Sequence, residues 1–182
     1  MRTFIALDLP ENIRQEVSRV INDFRSNCPF GVKWVPPENL HITFQFIGET
    51  KENDISEISE FLEINFSELK MLNFIEPELE IIPGREPRMI WISLKIENSL
   101  IRKISKRFKE KLRKMGYKID SKPLRFHITL GRIKKRLPEI LIQQILTTEL
   151  KMKSIKVGKA TLYKSLLRPE GPRYNSLMSI KF

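Results

Sequence analysis

One five-residue pattern occurs twice in the chain and restricts its fold more than any other feature. It reads Leu40-His41-Ile42-Thr43-Phe44 the first time and Phe126-His127-Ile128-Thr129-Leu130 the second. These copies hold the only two histidines of the 182 residues, 86 positions apart. Thr fills 7 of the 182 positions. A Thr two residues after both histidines therefore has a chance frequency on the order of one in several hundred. Successive side chains of a strand point to opposite faces, so residues two apart share a face. Leu40, Ile42, Phe44 and Phe46 would then form one apolar face, with His41, Thr43 and Gln45 on the other. Phe126, Ile128 and Leu130 oppose His127 and Thr129 in the same way. Each strand is expected to bury its apolar side and show a His-Thr pair on the opposite one. Two such strands set near each other would line a cleft with two imidazoles and two hydroxyls.

The remaining segments supply partners for these strands. Thr3 to Leu9 reads as a strand, and Ile13, Val17, Val20, Ile21 and Phe24 mark an amphipathic helix over about 10–26. A short strand over Val32–Val35 ends at Pro36-Pro37. A helix follows over about 53–65, then an extended stretch over 71–82, a turn over Pro83–Arg88 and an apolar strand over Met89–Ile96. Ile101, Ile104, Phe108, Leu112 and Met115 mark a long helix stopped by Gly116. The second motif strand spans Arg125–Gly131, Pro138 to Thr148 is a helix, and two strands over about 153–165 and 174–182 close the chain. Strands and helices mix without strict alternation, which predicts an α+β fold built on antiparallel sheet. With 41% hydrophobic residues and no linker or low-complexity tract, residues 1–182 are expected to form one domain.

Several classes are excluded early. The single cysteine, Cys28, leaves no disulfide framework and no cysteine-rich zinc site. The longest apolar runs fall well short of a membrane span, and Asp8 and Pro10 arrive too early for a secretory signal. The expectation is a soluble, cytoplasmic monomer. Charge points to a partner. Residues 1–91 carry 9 basic and 16 acidic side chains, whereas residues 92–182 carry 24 basic and 6 acidic ones. A half-chain that basic attracts polyanions, of which RNA and DNA are the usual ones.

Two imidazoles and two hydroxyls suit phosphodiester chemistry without a metal. One neutral imidazole takes a proton from water, while the other, protonated, gives one to the leaving oxygen. Thr43 and Thr129 can donate to non-bridging phosphate oxygens. Arg132, five residues past His127, can offset the negative charge that builds up there. A ribose 2′,3′-cyclic phosphate is a natural target, because opening its strained ring needs only this acid–base pair. No Gly-rich phosphate loop, serine nucleophile elbow or dinucleotide fingerprint is present, and two histidines without cysteine partners argue against zinc. Phe46 is an aromatic of the kind that stacks a nucleobase, but strict alternation puts it on the buried face.

At these residues the chain resembles the 2H phosphoesterase superfamily, named for two His-x-Ser/Thr-x motifs. It is most similar to the RNA 2′,3′-cyclic phosphodiesterases, also called the LigT or 2′-5′ RNA ligase family. Arg2-Thr-Phe-Ile-Ala-Leu-Asp8, the block from Trp34 to Glu49, Arg88-Met-Ile-Trp-Ile92, Phe126 to Arg132 and Gly171-Pro-Arg-Tyr174 all carry the resemblance. It departs mildly at Phe126, where many members have Pro. The resemblance implies a bilobal α+β fold, two antiparallel sheets flanking a central cleft with helices outside. It implies metal-independent, cofactor-free hydrolysis of RNA 2′,3′-cyclic phosphate ends to 2′-phosphates, with His41 and His127 as the acid–base pair. Thr43, Thr129 and Arg132 match its phosphate-binding positions. Two rivals remain at this point: 2′-5′ ligation of RNA halves by the same groups, and an RNA-binding module without chemistry.

Overall fold

Alternating apolar side chains build the strands, and apolar stripes at helical spacing build the helices. The structure, a computed structural model, describes residues 1–82 and 88–182. Among these residues the order is β1 (Arg2–Asp8), α1 (Glu11–Asn27), β2 (Val32–Trp34), β3 (His41–Glu49), α2 (Ile55–Phe66), β4 (Leu72–Ile82) and β5 (Met89–Lys95). It continues with α3 (Ser99–Lys114), β6 (His127–Ile133), α4 (Glu139–Thr147), β7 (Ser154–Val157), β8 (Lys159–Arg168) and β9 (Gly171–Lys181). The start of α3 shows why the chain turns helical where it does. The Asn98 side chain accepts from the Leu100 and Ile101 amides at 2.9 and 3.1 Å, satisfying two donors that a helix leaves unpaired. Gly116, at φ +90°, ends it in the left-handed region that glycine enters without strain. The turn expected over Pro83–Arg88 lies, apart from Arg88, outside the described residues.

The strands hydrogen-bond in the order β7-β4-β5-β6-β3-β1-β8-β9, with β2 also on β6. The two antiparallel sheets of the bilobal expectation are thus the halves β7-β4-β5-β6 and β3-β1-β8-β9. They join through one pair alone, Ile42 with Ile128. Beyond that pair the two motif strands part, and β2 takes the rest of the same β6 edge, pairing Val32, Lys33 and Trp34 with Ile133, Arg132 and Gly131. The helices cover one side. Ile5, Leu7, Ile42, Phe44, Ile90, Ile92, Ile128 and Leu130 merge with the inward stripes of all four helices in one core. The opposite side of the sheet carries the partly exposed His41, Thr43, His127 and Thr129 where the two halves diverge.

The chain does not finish one half before starting the other. It enters β1 in one half, contributes β2 to the other, returns for β3, and crosses again for β4 and β5. The stretch expected as one strand over 153–165 breaks at Gly158. β7 pairs with β4 on one outer edge, whereas β8 pairs with β1 in the other half. A single run of alternating residues carried no sign of that crossing.

Both motif strands contain a bulge at the same place. On β3, Ala6 pairs with Thr43 but Ile5 pairs with Gln45, so Phe44 is the extra residue. On β6, Trp91 pairs with Thr129 but Ile90 pairs with Gly131, so Leu130 is extra. A bulge reverses the alternation after it. This corrects the sequence reading of β3: Gln45 is 8% exposed and Phe46 is 62% exposed, the reverse of strict alternation. Gly131, next to the second bulge, lets β2 approach. A Cβ there would sit 2.6 Å from Val32 Cγ1 and 3.0 Å from Trp34 Cε3. Gly131→Ala is therefore expected to cost about 1–3 kcal/mol through overpacking, read as a lowered Tm, while substitution of the exposed Lys118 leaves Tm unchanged.

Candidate active site

His41 and His127 open their strands, and the Ile42–Ile128 pair sets them on the same open face of the sheet. As diagonal neighbours of an antiparallel pair they lie roughly 7–8 Å apart or somewhat more where the strands diverge. The same register brings Thr129 to the His41 side and Thr43 to the His127 side. Both threonines are partly buried on this face. Arg132 needs the bulge. Counted by strict alternation from His127 it would point into the core, but the extra Leu130 turns it out, and it is exposed. All five residues singled out from the sequence thus share one face, within one chain.

The two imidazoles are held alike. Nδ1–H of His41 donates to the Asn39 carbonyl at 2.7 Å, and Nδ1–H of His127 donates to the Arg125 carbonyl at 3.0 Å. A carbonyl only accepts, so each neutral ring keeps its proton on Nδ1 and leaves Nε2 free to take one. At His41 the Thr43 hydroxyl lies 3.0 Å from Nε2 and donates to it while the ring is neutral. Burial lowers the pKa of both rings below the ordinary histidine value, and the two carbonyls partly oppose it. The charge of His127, diagonal to it across the sheet, lowers His41 further.

Surroundings separate the two rings. His41 packs against Phe4 at 5.0 Å and edge-on to Tyr174 at 5.6 Å. Asp8, facing it from β1, accepts from Thr161 Oγ1 at 2.7 Å and Tyr163 Oη at 3.0 Å, with Lys159 Nζ at 3.2 Å. Burial and this carboxylate push the Tyr163 phenol up to about 12. Phe46 joins the cluster, 5.9 Å from Phe4. Arg132 and Arg2 both act electrostatically on Tyr174, so positive charge gathers at this end. The sequence reading placed Phe46 on the buried face and did not find Tyr174 and Asp8 as neighbours of the site. The bulge turns Phe46 out, the β1–β3 register sets Asp8 opposite His41, and the long β8–β9 hairpin brings Tyr174. Among the described residues no three His, Cys, Asp or Glu side chains cluster as metal ligands, and no helix is long and apolar enough to cross a membrane.

A two-lobed α+β fold in which paired His-x-Thr strands face one cleft defines the two-histidine phosphoesterases. The pattern of the LigT-like phosphoesterase family matches residues 7–71 and 94–174, and this chain belongs to that family. A relative from Archaeoglobus fulgidus named RNA 2′,3′-cyclic phosphodiesterase is 36% identical over 179 residues, covering 97% of this chain and 98% of its own. One of the same name from Methanocaldococcus jannaschii is 35% identical over 184 residues, covering 96% of both. Among solved structures, the Thermus thermophilus protein TT0787 superposes with a TM-score of 0.80 at 24% identity, over 100% of this chain and 97% of that one. Escherichia coli LigT in its apo form gives 0.72 at 22% identity, over 99% and 96%. These two likenesses concern the fold.

Proposed function

We propose that this protein hydrolyses terminal RNA 2′,3′-cyclic phosphates to 2′-phosphates with His41 and His127 as its acid–base pair. The carrying observation is the matched pinning of both Nδ1 atoms to main-chain carbonyls, which aims both Nε2 atoms at proton transfer. His127 Nε2 takes a proton from water as its oxygen bonds to phosphorus. The P–O3′ bond breaks, and protonated His41 delivers its Nε2 proton to O3′. Thr43 and Thr129 hydrogen-bond the non-bridging oxygens, and Arg132 offsets the charge that grows on them. The name shared by the well-covered relatives supports the same substrate.

The test is product analysis on an RNA carrying a 2′,3′-cyclic phosphate, with and without a 5′-hydroxyl RNA present. A 2′-phosphate, 3′-hydroxyl end in both reactions is the expected result. A joined strand as the main product, or binding without any product, would overturn it.

Phe46 gives the terminal base a surface. It is exposed on the cleft side, next to Phe4, and base stacking on an aromatic side chain contributes about 1–3 kcal/mol. Phe46→Ala is expected to raise KM for a cyclic nucleotide about tenfold with kcat little changed. An unchanged KM would remove it from the site.

A further inference from the structure

His127 rests on an indole that neighbouring polar groups hold in place. The Trp91 indole on β5 lies 4.2 Å from the His127 ring, centroid to centroid, with the planes inclined by 35°. Trp91 is 7% exposed, and its Nε1–H donates to Glu80 Oε2 at 2.7 Å. The same carboxylate accepts from Ser93 Oγ at 3.0 Å and from Arg125 Nη2 at 3.2 Å. The Arg125 guanidinium also lies over the Trp91 ring at 4.8 Å. Arg125 is the residue whose carbonyl accepts the hydrogen bond from His127 Nδ1–H. One carboxylate therefore ties down both the ring beside His127 and the residue that sets its tautomer.

The other half is backed differently: His41 packs on Phe4 at 5.0 Å, a ring with no polar group by which a carboxylate could tie it down. Trp91 pairs with Thr129 where Ala6 pairs with Thr43, so the matching place beside His41 holds a methyl group. The two motifs are alike in sequence, yet their histidines differ in backing. We infer that Trp91 and Glu80 are positioning residues for His127: Glu80 locks the indole and Arg125, and these two hold the imidazole and favour its charged form. The face of an indole is electron-rich and attracts a cation. Among charged groups, Glu80 approaches from β4 with Glu78 in register beside Ser93, Arg125 precedes β6, and His41 faces from β3; β5 contributes the neutral Trp91 and Ser93. Glu80 and the indole favour the imidazolium, and Arg125 and a protonated His41 oppose it.

The kinetic part rests on His127 belonging to the acid–base pair, so the test has a direct readout as well. NMR titration follows both imidazoles, assigned with His41→Gln, in the unmodified protein and in Trp91→Leu, Trp91→Phe and Glu80→Gln. Trp91→Leu is expected to lower the His127 pKa by about 0.5 to 1, with His41 moving less and in the opposite direction through its coupling to His127, and to cut kcat about tenfold. Trp91→Phe keeps an aromatic face and restores most of both. Glu80→Gln keeps an oxygen for the indole N–H but loses the charge, and also lowers the His127 pKa. Should Trp91→Leu fail to fold, the other two variants decide. His127 titrating alike in every folded variant, with an unshifted pH profile, would overturn the inference even if Tm falls. Full activity of His127→Ala would instead overturn the catalytic reading and leave the titration result standing.

Discussion

Replacing His41 or His127 with Ala is expected to slow hydrolysis of a 2′,3′-cyclic nucleotide about a hundredfold or more in each case. The two losses should not add, because one ring takes a proton while the other gives one across the same phosphate, and groups acting as a unit fail together. The pH dependence follows from the same geometry. In the free enzyme, burial holds both rings below the ordinary histidine range. Turnover needs one ring neutral and its partner protonated, so kcat/KM rises with pH as the base loses its proton and falls as the acid loses its own. Its maximum should lie below about pH 6.5, with the two limbs belonging to the coupled pair. A bound phosphodiester anion favours the imidazolium, so the kcat profile is expected at higher pH than that of kcat/KM. Steady-state rates across the pH range check both. Single variants that keep full rates, or a flat profile, would contradict the paired assignment.

Arg132→Gln is expected to lower kcat about a hundredfold, the scale of losing one preorganised stabiliser of developing charge. The side chain is exposed on the cleft face at the end where Arg2 also acts on Tyr174, so its removal should scarcely move Tm. Arg132→Lys should recover only part of the rate, because an ammonium keeps the charge but not the planar fork that grips two oxygens. A variant that loses stability and keeps kcat would assign Arg132 to the fold instead.

Much of this protein was legible before any coordinates. The duplicated His-Ile-Thr pattern, the parity of Leu40, Ile42, Phe126 and Ile128, and the stripes of α1 and α3 are local properties. Side-chain period and backbone geometry repeat within a few residues, so a short window of sequence carries them. The helices fell within a residue or two of their expected ends, and the α+β class followed from their mixture with strands.

What the chain could not declare locally were relations between distant segments. The bulges at Phe44 and Leu130 exist only against β1 and β5, and they alone decide that Phe46 and Arg132 face the cleft. The crossing at Gly158 depends on which outer strands, β4 and β1, have free edges. Glu80, Trp91 and Arg125 gather beside His127 because three chain segments are laid side by side in one sheet. Pairing register is a competition among whole strands for burial and hydrogen bonds, and tertiary packing settles it.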